Sequence, residues 1–312
     1  MARSADLTAR RQRALSEVGE RSDVMVVVAT KAERIHVCRD RAHRRRAIGV
    51  VAAAVAVAAD GVGLRPTRTF VDVNAPDRLY FRQLLSGRDI ARSDPVARQM
   101  VNFVYLIGDR ETGEAAVVDA AYDVRGILDV AAADGMKVNR ALVTHYHQDH
   151  VGGDMMGYQI SGIRELLALN PVPVHVQADE AHGVQRVTGA GEADLVRHGS
   201  GDVVDVGAIG IELIHTPGHT PGSQCFFVDG RYLVSGDTLF LEGCGRTDLP
   251  GGDPAQLYDS LTHRLAKVPD DTVLFPGHLY SAEPSATLGE TRQWNYVFKP
   301  RSEAEWLAMF GG

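Results

Sequence analysis

Residues 144–153 read THYHQDHVGG, and the rest of the chain is best read outward from them. His145, His147, Asp149 and His150 fall within six residues. Imidazole nitrogen and carboxylate oxygen together suit zinc, iron or manganese. The preceding Arg140–Thr144, RALVT, reads as a short buried strand. Just beyond it, an extended chain points His145 and His147 the same way. Asp149 and His150 are adjacent, so a strand would point them apart. The chain must therefore turn there, and Gly152 and Gly153 permit it. One loop can then face two metal positions.

Upstream, Met100–Gly108 (MVNFVYLIG) and Glu114–Asp119 (EAAVVD) read as strands joined by the turn Asp109–Gly113. Asp123–Gly135 has helical apolar spacing, with Asp123 as N-cap and Gly135 as stop. Downstream, Ile163–Leu169 and Ala178–Val187 are expected as helices. Pro171–Gln177 is expected as an edge strand because of its two prolines. Hairpins are expected at 202–215 around Gly207 and at 223–235 around Asp229-Gly230. Pro254–Val268 reads as an amphipathic helix and Thr272–Phe275 as a last strand. No repeat stands out. The alternation predicts an α+β fold, an αββα sandwich of two mixed β-sheets flanked by helices, with the metal loops along one edge.

Three later junctions each end a strand with a donor. His219 lies in HTPGHTPG (215–222), Asp237 in SGDT (235–238) and His278 in PGH (276–278). With the first loop they make seven. A closed zinc site needs only four ligands, whereas seven suit two metals sharing a carboxylate. His175, His182 and His198 are expected at the surface or core edge.

The chain has 312 residues, 45% apolar and 23% charged, ordinary for a soluble globular protein. Three cysteines, Cys38, Cys225 and Cys244, form no CxxC pair, which fits a reducing compartment. Residues 1–46 carry eleven Arg and one Lys against six acids, a net of +6, so the remainder holds −13 of the overall −7. That acidic part argues against a nucleic-acid substrate. Residues 47–59 are an apolar run of thirteen, too short for a span of about twenty. Residues 1–79 are read as a poorly ordered extension, with export or membrane association through residues 41–60 as the alternative. Residues 80–312 are read as the catalytic domain, and the expected location is cytoplasmic.

With HxHxDH at 145–150 and the later donors, the chain resembles the metallo-β-lactamase superfamily over roughly residues 80–300. By position, the resemblance implies His145, His147 and His219 as ligands of a first metal. It implies Asp149, His150 and His278 for a second, and Asp237 as the bridge. The implied cofactors are two divalent ions, zinc first, with iron or manganese as alternatives. A water between two dications loses a proton near neutral pH, attacks a carbonyl carbon, and Asp149 orients it.

Within the superfamily, antibiotic-cleaving enzymes of the best-known subclass place a cysteine where this chain has Asp237. Flavodiiron proteins place a glutamate at His147. The RNA-processing branch inserts a domain between Asp237 and His278 that has no room here. The glyoxalase II-like group remains. Asp237–Asp253, DTLFLEGCGRTDLPGGD, has a GCGRTD core similar to persulfide dioxygenases and a DLPGGD ending similar to glyoxalase II-like hydrolases. The dioxygenases retain all seven positions but use one Fe(II), at positions matching His147, His219 and Asp237. Arg246, Cys244 and Tyr280 are expected to contact substrate, with a loop-holding salt bridge as the alternative for Arg246, a structural role for Cys244 and tail packing for Tyr280. Cys225 is expected in the core. After His278, glyoxalase II has a glutamate-tyrosine pair and a glutathione-binding helical domain. This chain has Leu279-Tyr280, followed by about thirty residues similar to the dioxygenase tail.

The leading expectation is a hydroxyacylglutathione hydrolase-like metallohydrolase of a small thioester or ester. The alternatives are a one-iron dioxygenase of glutathione persulfide and a non-catalytic regulatory module. The expected partners are a small (thio)ester or glutathione-derived substrate, with no nucleic acid or membrane and with a homodimer left open.

Overall fold

The computed structural model describes residues 77–310, together with a two-residue antiparallel pair, Val27–Val28 with His36–Val37. The chain divides into two units, Met1–Val71 and Asp72–Gly312. Apart from that strand pair, the expected extension and its apolar run at 47–59 lie outside the described residues. Among the described residues no helix is long and apolar enough to cross a membrane.

The second unit begins with β1 (Leu79–Leu85), α1 (Pro95–Met100), β2 (Phe103–Asp109), β3 (Glu114–Val118), α2 (Val124–Ala133) and β4 (Lys137–Leu142). It continues through α3 (Gln148–Val151), β5 (Gly153–Met155), β6 (Tyr158–Ile160), α4 (Ile163–Leu169), β7 (Val174–Gln177), α5 (Ala181–Thr188) and β8 (Leu195–His198). The second half holds β9 (Val203–Val206), β10 (Ile209–His215), β11 (Gln224–Val228), β12 (Tyr232–Gly236), α6 (Pro254–Asp259), β13 (Val273–Pro276), β14 (Ala286–Thr287), α7 (Leu288–Trp294) and α8 (Glu303–Phe310).

Two six-stranded mixed sheets result, ordered β8-β7-β4-β3-β2-β1 and β9-β10-β11-β12-β13-β14. Strand residues alternate between faces, and this alternation divides the core. In β2, Phe103, Tyr105 and Ile107 join Ile211, Leu213, Phe226 and Val234 between the sheets. Val104 and Leu106 point the other way, onto α2 and α4, with Ile127 and Leu166. On the second sheet Cys225, Leu233 and Leu274 face outward onto Leu257, Leu261 and Trp306. Strands buried on both faces read as continuous apolar runs, which is why β2 and β3 stood out in the sequence. The second unit is an αββα sandwich.

Several elements differ from expectation, among them β7, the helix at 254–268 and β1. β7 is interior, parallel to β4 on one side and to β8 on the other. Pro171 and Pro173 precede its first residue and remove no ladder donor, and the Pro173 carbonyl accepts from Ala141 N at 3.0 Å. The helix expected over 254–268 is regular only to Asp259, then runs through a π-helical turn, Ser260–Arg264, and a 3-10 turn, Leu265–Lys267. β1 pairs along all seven residues with β2.

Candidate metal centre

Parallel strands leave their C-terminal ends at the same edge of a sheet. β3, β4, β12 and β13 end in the sequences that carry Asp119, His145, Asp237 and His278. His147 is extended, at φ −65° and ψ 145°, and caps α3, the one-turn helix that carries Asp149 and His150. The turn closes at Gly152, whose φ of +83° suits glycine and whose Cβ would sit 2.7 Å from Gly162 Cα. At the opposite side a Cβ on Gly277 would overlap Asp237 Oδ1. Glycine is required there for the chain to pass that close to the carboxylate.

The structure brings all seven predicted donors together. The nitrogens of His145, His147 and His219 lie within 4.8 Å of one another, and so do donor atoms of Asp149, His150 and His278. His219 Nε2 is 3.0 Å from His147 Nδ1, and His150 Nε2 is 3.2 Å from His278 Nε2. Asp237 lies between the triads. Its Oδ2 is 3.7 Å from His219 Nε2 and 3.4 Å from His278 Nε2, and its Oδ1 is 3.3 Å from His150 Nε2.

The outward nitrogens are held by a surrounding layer of acceptors. His145 Nδ1 is 3.0 Å from Thr144 Oγ1, and His219 Nδ1 donates to the Arg246 carbonyl at 2.8 Å. His150 Nδ1 donates to Asp119 Oδ2 at 2.9 Å, and His278 Nδ1 to the Met100 carbonyl at 2.8 Å. Such partners fix the tautomer and aim Nε2 inward.

Burial, with the nearby His150 adding to it, holds His145 well below the ordinary imidazole range. Burial also pushes His147 down to about 4. Burial works against ionisation of Asp237, yet the His278 and His150 imidazoles outweigh it and hold the carboxyl well below its usual range. At His150 burial is likewise outweighed, by the carboxylates of Asp149, Asp237 and Asp119, and the imidazole is raised. The cluster therefore holds ionised carboxylates beside imidazoles, with His145 and His147 kept neutral and His150 and His278 drawn toward the protonated form by those carboxylates, so that negative charge at the centre attracts a cation. His145 Nε2 and Asp237 Oδ1 are also buried without a hydrogen-bond partner. Buried orphans of this kind demand an explanation, and a cation supplies one. The donor set fits a metal.

Three positions that contact the donor set or its loops have no counterpart among the residues expected from the sequence. Asp119 is buried and accepts from Thr144 N at 2.8 Å and Thr144 Oγ1 at 2.6 Å besides His150. It ends an apolar strand, the same signal that marked Asp237 and His278. Asn102 and Glu180, both buried, carry no local signal, because their partners are distant in sequence.

The expected substrate residues separate. Tyr280 is half exposed beside the centre, stacked on His278 at 4.6 Å and 9°, with Phe240 edge-on at 5.0 Å. The Arg246 side chain is exposed and pairs with Asp248 through Nε at 2.6 Å, while its carbonyl anchors His219. Cys244 packs among the apolar side chains beneath α6, and burial pushes its thiol up to about 12. Cys225 is in the core. His175 and His198 hydrogen-bond to each other at 2.8 Å, away from the centre, and His182 is exposed.

An αββα sandwich with a histidine-aspartate cluster at the strand ends defines a class of metal-binding protein. The profile of the metallo-β-lactamase superfamily matches residues 98–278, and the chain belongs to that family. It is 30% identical to the mitochondrial persulfide dioxygenase ETHE1 of Mus musculus over 231 residues, covering 72% of this chain and 82% of that one. It is 38% identical to the hydroxyacylglutathione hydrolase of Alkalilimnicola ehrlichii over 180 residues, covering 58% of this chain and 62% of that one. The crystal structure of ETHE1 from Myxococcus xanthus superimposes with a TM-score of 0.62 at 27% identity, covering 75% of this chain and 90% of that one.

Proposed function

We propose that the protein is a two-metal hydrolase of a small thioester or ester. His145, His147 and His219 would hold one ion and Asp149, His150 and His278 the other, with Asp237 placed to serve both. One observation carries this reading. The second triad is as firmly aimed as the first, since His150 and His278 are anchored through Nδ1 at 2.9 and 2.8 Å, as His145 and His219 are at 3.0 and 2.8 Å. Such anchoring is what a second occupied position needs.

When bound, divalent metal supplies Lewis acidity and lowers the pKa of water to about 7. The chain's own contribution is positional. Asp149, its Oδ2 fixed by the Asn102 amide at 3.1 Å, orients the attacking water. Tyr280 and Phe240 form an apolar wall beside His278 that seats the substrate and keeps bulk water from one side. No serine or cysteine nucleophile is required, consistent with the inward packing of Cys244.

The second reading is a one-iron persulfide dioxygenase. It is favoured by the longer match to ETHE1, and by the shorter match to the hydrolase, of which this chain spans 62%. Thiol release from a hydroxyacyl thioester of glutathione, measured beside oxygen uptake with glutathione persulfide, separates the two. Thioester cleavage without oxygen uptake supports the hydrolase, and oxygen uptake without cleavage refutes it.

A further inference from the structure

Asn102 precedes β2 and is 1% exposed. Its backbone is fixed between the sheets. It bridges antiparallel to His278, Phe103 N donates to the Gly277 carbonyl at 2.8 Å, and Leu279 N donates to the Val101 carbonyl at 3.0 Å. The side chain reaches into the second triad. Nδ2 lies 3.1 Å from Asp149 Oδ2, 3.3 Å from His150 Nε2 and 3.4 Å from His278 Nε2. These are the three side chains assigned to the second metal.

Both imidazoles direct Nδ1 outward, to Asp119 and to the Met100 carbonyl, so as metal ligands each would present the Nε2 lone pair inward. An amide NH₂ group brings two hydrogens and no lone pair to three acceptors. It offers them a weak version of what a cation offers. At the other end Oδ1 accepts from the Tyr122 hydroxyl at 3.2 Å, which holds the amide in this sense. The first triad has no such neighbour in contact with its ligand atoms.

We infer that Asn102 sets the affinity of the second metal position. With Nδ2 inward the amide opposes a second cation. Turned over, it presents Oδ1 as a neutral oxygen donor, and the Tyr122 hydroxyl accepts from Nδ2 instead. Loading is therefore stepwise, with the His145, His147 and His219 position filling first. The inference rests on the two-position reading of the centre.

The test is a chelator-competition titration of the metal-stripped, full-length protein with zinc, repeated with cobalt to follow the visible spectrum of each step. The wild type should bind in two steps, the second at least tenfold weaker. Asn102→Asp places a carboxylate against the second position and should tighten that step about 10–100-fold, the scale on which residues around metal ligands move affinity, leaving the first unchanged. Tyr122→Phe releases Oδ1 and should shift the same step in the same direction by a smaller factor, a check that does not depend on Asn102→Asp folding. Two steps that neither variant moves, or that both variants move equally, overturn the inference alone. A wild type that binds only one zinc ion, or none, overturns the two-position reading with it.

Discussion

Glu180 Oε1 lies 2.6 Å from the backbone nitrogen of Tyr146, the residue between His145 and His147. The same carboxylate accepts from Thr220 Oγ1 at 2.8 Å and Gly222 N at 2.7 Å, beside His219. One fully buried side chain thus ties two ligand-bearing loops together. Glu180→Ala leaves three donors unmet, and each unmet buried group costs about 1–3 kcal/mol. The expected result is a loss of roughly 3 kcal/mol in urea unfolding, with weaker binding at the first metal position. Unchanged stability would remove Glu180 from this role.

Burial pushes the Glu180 carboxyl from 4.5 up to about 7, with Thr220, Tyr146 and Gly222 pulling the other way. The folded state then binds more protons than the unfolded state between those values. Stability from this group is therefore present at low pH and lost as pH rises through the window, by roughly 3 kcal/mol across it. Glu180→Gln cannot titrate. Unfolding free energies measured from pH 4.5 to 7 should show the wild type falling relative to Glu180→Gln, and parallel profiles would contradict the assignment.

Asp119 holds His150 at 2.9 Å and Thr144 through both backbone and hydroxyl. Asp119→Ala should weaken the second metal step about 10–100-fold, the usual effect of losing a partner of a metal ligand. The first step should move less, because Thr144 reaches His145 only through its hydroxyl. Equal weakening of both steps would point to collapse of the whole edge instead.

Much of this was legible in the sequence, for identifiable reasons. β2 and β3 are buried on both faces and read as unbroken apolar runs. The donor-rich loop at 145–150 carries its meaning in local spacing. β1 (LYFRQLL) mixes Arg82 and Gln83 into its middle and has no such pattern. β8 is mostly exposed, so nothing in its four residues announces a strand, and β7 was misread as an edge without it. Glu180 and Asn102 act across 34 to 176 residues of chain, and no local spacing encodes those contacts.

Tyr280 stacks in parallel on His278 and is half exposed. Aromatic contacts of this kind contribute about 0.5–1.5 kcal/mol. Tyr280→Ala should therefore raise KM for a thioester substrate roughly 2–10-fold with metal content intact, and Tyr280→Phe should raise it less. Loss of metal in Tyr280→Ala would mean that the ring supports His278 rather than substrate.

Seven side chains forming two metal positions should bind two ions. Elemental analysis of metal bound per chain, after equilibration with buffered excess zinc and removal of free ion, tests this most directly. Two zinc ions per chain are expected for the wild type and one for His278→Ala. One ion per chain in the saturated wild type, unchanged by His278→Ala, would contradict it.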